Sequence, residues 1–238
     1  PKREAFISPL NIPIALSANF GELRTNHFHS GLDIKTQGIT GKEVVAAAPG
    51  YVYRISVSPG GFGKALYLRH PSGYSTVYGH LDRFSPEIES FVKSRQYNDK
   101  SFMINLFPPS DRFRFNQGDV IAYSGNSGSS SGPHLHYEIR KTDGEIPLNP
   151  LLFEFDADDR ISPVIERLVI YPASENTLIN NRKAPEKITV TGSAGNYRLS
   201  SGTGIHIGGP AGFGIKTWDR FSNSTNKCAV YSIQLFVD

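Results

Sequence analysis

The chain has 238 residues, 38% hydrophobic and 20% charged, a globular balance long enough for one large domain or two modest ones and unlike that of a disordered chain. Its 25 Lys and Arg against 22 Asp and Glu are spread evenly (16 against 14 over residues 1–155, 9 against 8 over 156–238), so the net charge of +3 marks no nucleic-acid-binding stripe. The single cysteine, Cys228, excludes an intramolecular disulfide and a cysteine-ligated zinc site, and no apolar run reaches the ~18 residues of a membrane span.

In chain order, residues 1–20 read as extended and apolar, with Pro9 and Pro13, and a turn follows at Asn19–Glu22. Strands are expected at 29–34, 44–48, 51–57, 64–70 and 74–81, separated by Gly- and Pro-bearing turns, which is the pattern of an antiparallel meander. Ser85-Pro86-Glu87 starts a predicted helix over 85–97, with Ile88, Phe91 and Val92 at helical spacing. Residues 98–115 read as irregular, and strands resume at 119–124 and 134–140. Around 150–160 the composition shifts through Asn149-Pro150 to Asp156, Asp158 and Asp159. Strand-like runs at 164–171, 187–191, 204–207, 212–219 and 228–237 then predict a second, all-β domain, an immunoglobulin-like sandwich. The expected division is therefore 1–155, carrying an insertion at about 85–115, and 156–238. The sequence opens at Pro1 without an initiator Met and stops inside the apolar run 234–238, so the reading is of a piece of a longer protein, truncated in its second domain, with targeting segments outside it.

Chemistry concentrates in a few side chains. In His134-Leu135-His136 the two imidazoles sit at i and i+2, on one face of a strand. Two imidazoles buried together without partners cost stability, which a metal or a catalytic role would explain. His29 and Asp33, at i and i+4, also share a face, and with His136 they supply three ligands, the number that catalytic zinc sites use while leaving a fourth position open. His80, in Tyr78-Gly79-His80-Leu81, can flank that position together with His134. No H-E-x-x-H occurs, so that class of zinc peptidase is excluded. Glu138 shares the face of His136 and reads either as its hydrogen-bond partner or as a solvent-exposed acid. His27, His70 and His206 read as loop or turn residues. Gly128-Ser129-Ser130-Ser131-Gly132 has the G-x-S-x-G form of a serine nucleophile elbow, but Pro133 and a strand follow it where an elbow needs a helix.

Four ordered motifs resemble the LytM/lysostaphin-type endopeptidases: His29-x-x-x-Asp33, Tyr74–Leu81, Gly118–Ile121 leading to Gly125-Asn126-Ser127-Gly128, and Ser131–Glu138. The resemblance covers about residues 18–153. It implies an antiparallel β fold with a groove-shaped active site, one zinc held by His29, Asp33 and His136, and His80 and His134 as the catalytic pair. It implies hydrolysis of peptide cross-links in bacterial peptidoglycan through a metal-activated water, in the periplasm or outside the cell. The insertion at 85–115 departs from compact members of the family, and 156–238 lies outside the resemblance; these two segments are the candidate surfaces for a protein partner. The rival reading is an autoinhibited or non-hydrolytic module that binds peptidoglycan and regulates another hydrolase.

Overall fold

Short strand-forming runs divided by glycine turns can satisfy their backbone groups only by pairing, and they do so in a computed structural model, which describes residues 6–153, 157–200 and 204–236. Contacts divide the chain into Pro1–Asp158 and Asp159–Asp238; the boundary expected at 155/156 falls on residues 154–156, outside the described set.

The first unit contains β1 (Leu16–Ala18), β2 (Leu32–Lys35), β3 (Glu43–Val45), β4 (Gly50–Val57), β5 (Lys64–Arg69) and β6 (Tyr74–Phe84). Helix α1 (Pro86–Asp99) follows, then β7 (Ile104–Leu106), β8 (Arg114–Phe115), β9 (Val120–Ser124), β10 (His134–Lys141) and β11 (Ile146–Leu148). These strands form an eleven-stranded antiparallel sheet whose main path runs β1-β2-β10-β6-β5-β4-β7. Strand β10 shows how the sequence sorts itself. Leu135, Tyr137 and Ile139 are fully buried on one face, while His134, His136, Glu138 and Arg140 alternate onto the other. The core lies under the first face, where Leu16, Leu32, Ile34, Leu66 and Leu68 join Tyr78 and Tyr137, whose rings stand 5.4 Å apart.

Helix α1 forms where expected. Pro86 occupies its first turn, Glu89 Oε2 reaches back to the Phe84 N–H, and Ile88 and Val92 are its buried side. It ends at Lys100, in the left-handed conformation, whose N–H caps the last carbonyls. The stretch 98–115 is more ordered than its sequence suggests. Strand β7 pairs with β4 through Ile55↔Leu106 to Val57↔Ile104, and β8 pairs with β4 through Gly50↔Phe115 and Tyr51↔Arg114. Two- and three-residue strands carry too little periodicity to be read in advance.

The second unit contains β12 (Val164–Pro172), β13 (Leu178–Ile179), β14 (Glu186–Ser193), β15 (Asn196–Leu199), β16 (Ile207–Gly208) and β17 (Ala211–Trp218). They form a four-stranded sheet, β15-β14-β12-β17, and a two-stranded one, β13-β16, around a core of Ile170, Ile179 and Ile188. The strand expected at 228–237 is absent among the described residues, and Val237 lies outside them. Only the isolated Asp219↔Cys228 bridge forms there, and Tyr231, Ile233, Leu235 and Phe236 are exposed. Apolar alternation makes a strand only where a partner strand supplies the ladder.

One backbone feature bears on the site. His80 lies inside β6 with φ +58°, a left-handed value rare for a residue with a Cβ. Period-two alternation would send its ring to the face of Tyr78. The irregular register beside it, between Lys64/Leu66 on β5 and between Leu81/Arg83 towards β9, turns the ring to the other face. In the metal-free protein, His80→Gly is expected to be more stable than His80→Ala by about 1 kcal/mol, the reverse of the usual order inside a strand. Chemical denaturation of the two variants checks this; Ala at least as stable as Gly would mean that the backbone there is relaxed.

Candidate functional site

The site assembles at neighbouring ends of β2, β6 and β10. Asp33 and His136 are direct cross-strand partners between β2 and β10, so their side chains rise from the same face. His29 arrives differently from the strand expected at 29–34: β2 begins only at Leu32, and His29 enters from the preceding loop. The bend is possible because Gly31 passes against the Tyr137 carbonyl, where a Cβ would stand 2.2 Å from the oxygen.

Three ligand atoms converge. His29 Nε2 lies 3.0 Å from Asp33 Oδ1 and 3.1 Å from His136 Nδ1, and His136 Nδ1 lies 2.9 Å from Asp33 Oδ1. The outer ring nitrogens decide what this triangle is. His29 Nδ1 donates to the Asn19 carbonyl at 2.8 Å, and His136 Nε2 donates to Glu138 Oε1 at 2.8 Å. With those protons placed outside, both neutral imidazoles aim lone pairs at the same point as the carboxylate. Three lone pairs facing one another at this range repel unless a proton or a cation stands between them. The edges of the triangle approach the ~3.3 Å edge of a tetrahedron built on zinc–ligand bonds of ~2.0–2.1 Å. The donor set of two imidazoles and one carboxylate, with each imidazole braced by an acceptor behind it, fits a divalent metal ion.

The electrostatics agree. Burial opposes charge on His136, yet Asp33 on one side and Glu138 on the other raise its pKa to about 9, so this position is built to carry positive charge. Burial would raise the Asp33 carboxyl, but hydrogen bonds from His134, His136 and His29 hold it far below the ordinary carboxylate range. Its other oxygen meets Arg24 Nη2 at 3.3 Å. Glu138 is fully buried, which settles its two readings in favour of a partner of His136. It also accepts from Ser30 Oγ and from Arg140 Nε, each at 2.5 Å, and although burial pushes its carboxyl up, His136 and Arg140 bring it down to about 2.

Two more imidazoles stand beside the triangle. The rings of His80 and His134 are 4.7 Å apart, and His134 Nε2 is 3.5 Å from Asp33 Oδ1. Each has its Nδ1–H tied to a carbonyl, His80 to Ser127 and His134 to Gly132, both at 2.8 Å, so each turns Nε2 towards the open side. Burial, and then the nearby His134 and His136, depress the His80 pKa to about 4, and it is neutral at pH 7. Phe62 stacks on His136 at 4.7 Å and walls the floor. The small residues of 125–132 brace the site rather than form an elbow. Gly63 and Gly128 touch backbone to backbone, and a Cβ on Gly128 would fall 2.3 Å from the Gly63 nitrogen. That contact fixes the Ser127 carbonyl that holds His80, and strand β10 follows where an elbow needs a helix.

All five predicted residues, His29, Asp33, His80, His134 and His136, thus come together. His27 and His206 stay exposed and take no part, while His70 is buried and holds the Pro49 carbonyl and Thr76. Sequence reasoning did not single out Arg24, Ser30, Arg140 or the carbonyls of Asn19, Gly132 and Ser127. Backbone carbonyls leave no mark on residue identity; the run His136-x-Glu138-x-Arg140, with alternating charge on one strand face, was the one available signal for Arg140.

The sequence profile of Peptidase family M23 matches residues 27–97 and 112–150, a span that holds all five of these residues. An uncharacterized metalloprotease of Haemophilus influenzae is 37% identical over 111 residues, 47% of this chain and 18% of that protein. The DD-carboxypeptidase/endopeptidase Mpg of Neisseria meningitidis is 34% identical over 129 residues, 54% of this chain and 23% of that protein. The peptidoglycan DD-endopeptidase ShyC of Vibrio cholerae is 30% identical over 144 residues, 58% of this chain and 27% of that protein. The chain therefore spans about a quarter or less of the length of these relatives, and across that span it belongs to peptidase family M23.

Proposed function

We propose that this chain is a zinc-dependent endopeptidase that hydrolyses peptide cross-links of bacterial peptidoglycan in the cell envelope. The observation that carries this reading is the convergence of three ligand lone pairs beside two further imidazoles whose outer nitrogens are already committed. His29, Asp33 and His136 hold one zinc. When bound, zinc supplies Lewis acidity, lowering the pKa of water towards ~7 and polarising a carbonyl. The residues of the chain do the rest. His80, neutral at pH 7, presents Nε2 to accept the proton that the attacking water loses; His134 presents Nε2 on the same side, and the proton taken from the water is handed on from these Nε2 atoms to the nitrogen of the leaving amine. Asn19, Glu138 and Gly132 hold the rings in the tautomers this requires. The relatives named for action on DD-peptide bonds and on peptidoglycan support the substrate class. In this reading residues 1–155 are the catalytic domain and 156–238 an appended β-domain. The complete ligand triangle weighs against a purely regulatory module.

Incubated with peptidoglycan sacculi, the zinc-loaded protein is expected to convert cross-linked dimers to monomers, followed by mass spectrometry of the released fragments. His134→Ala should lower the rate by at least about 100-fold while retaining zinc; an active variant would remove His134 from the chemistry. Glu138→Gln is expected to weaken zinc binding about 10- to 100-fold through the orientation of His136. Competition with a chelator measures it, and unchanged affinity would make the Glu138 contact incidental. His80 gives a pH signature. Its folded pKa lies below its unfolded value, so its stability contribution is complete above about pH 6.5 and lost as pH falls towards 4, by about 3 kcal/mol. Denaturation of the metal-free protein across that window should show wild type losing this amount relative to His80→Ala; parallel curves would contradict the neutral assignment.

A further inference from the structure

We propose a second binding site in the first unit: a cleft that takes the oxyanion, carboxylate or phosphate, of a ligand between Arg69 and Arg114. The cleft has a volume of about 650 Å³, within the ~300–1,000 Å³ range of small-ligand sites, and none of its lining residues is acidic. Register places the two arginines on the wall of one cleft. Tyr51 on β4 pairs directly with Arg69 on β5 and, on its other side, with Arg114 on β8, so all three side chains leave the same face with the arginines flanking the tyrosine. The row continues through Ser75 on β6 to Arg140 on β10. There the two differ from their neighbour, because Arg140 is neutralised by Glu138 and Glu145, whereas neither Arg69 nor Arg114 forms an ion pair among the described residues.

Arg69 lies flat over the Tyr53 ring at 4.5 Å, which occupies the face of its guanidinium and leaves the in-plane donors for an acceptor. Its Nε is buried and meets no acceptor among the described residues, so the terminal Nη groups are the donors that a ligand in the cleft can reach. Ser110, Asn116 and Thr142 add hydroxyl and amide groups to the wall. Ser110 belongs to the stretch 98–111 that the family profile leaves unmatched. Arg69 sits about 16 Å from His136, counted as four residues along a strand and two strands across, and on the same face of the sheet. The site is therefore separate from the candidate metal centre, and it stands whether or not the hydrolase reading does.

The test is binding to the whole zinc-loaded chain at low ionic strength, by calorimetry, with inorganic phosphate and an N-acetylated aspartyl-glutamate dipeptide as probes. At least one probe is expected to saturate, and Arg114→Gln should weaken it about tenfold, with Arg69→Lys weakening it as well because the planar fork is lost. Preference for the dipeptide names a carboxylate ligand, and preference for phosphate a phosphate ester; either supports the site. Zinc content and the circular dichroism spectrum confirm that each variant is folded. Saturation by neither probe, or binding that survives Arg114→Gln in a folded variant, overturns the proposal, the latter by locating the anion elsewhere.

Discussion

Three electron-rich atoms held about 3 Å apart are the constraint on which the first unit depends. A folded chain gathers two ring nitrogens and a carboxylate oxygen this closely only with positive charge among them, a proton on His136 in the metal-free chain or a cation in its place. The arrangement persists because the surrounding structure fixes each participant from behind. Asn19 and Glu138 take the outer protons of His29 and His136, Arg24 takes the second oxygen of Asp33, and the paired strands set the spacing of Asp33 and His136. The supports of His29 and His136 are hydrogen-bonded in a buried setting, where losing a partner is costly, whereas Arg24 holds Asp33 from an exposed position. The candidate metal site is thus a property of the sheet, and its orientation reaches through Glu138 and Arg140 to Glu145 and on to Tyr53.

Much of this was legible in the residues themselves. His134 and His136 declared their shared face by spacing alone, and Asp33 fitted the same chemistry. His80 was expected beside His134 at the open position, yet the way its ring faces was not legible, because period two assigns it to the core side and only the left-handed backbone reverses that. Glu138 was ambiguous because an acid on a strand is more often solvated than buried, and only its partners reveal its role. The carbonyls that set the tautomers were invisible, since every residue has one. In the fold, the long strands and the helix were readable, whereas β7 and β8 were not, being too short for any period. The run at 228–236 was over-read, because apolar alternation describes willingness to pair and says nothing about whether a partner strand is present.

The two arginines of the cleft and the imidazoles of the candidate metal site share one face of one sheet. Cross-strand register, set by hydrogen bonds that ignore side-chain identity, lines up residues far apart in the chain: Tyr51, Arg69, Ser75, Arg114 and Arg140 come from five strands. A sheet of this kind offers a field of addressable positions, and loops decide which of them are open to ligand.

The insertion expected at about 85–115 is narrower, since the family profile leaves only 98–111 unmatched, with β7 inside that gap and most of α1 and all of β8 outside it; the segment from β7 to β8 is nonetheless not ornamental. By pairing with both ends of β4 it occupies backbone donors and acceptors that would otherwise form a bare sheet margin. A bare margin of that kind is a template for unwanted addition of foreign strands. The segment exchanges the eight-residue margin of β4 for two strands of three and two residues, edges too short to template a further strand.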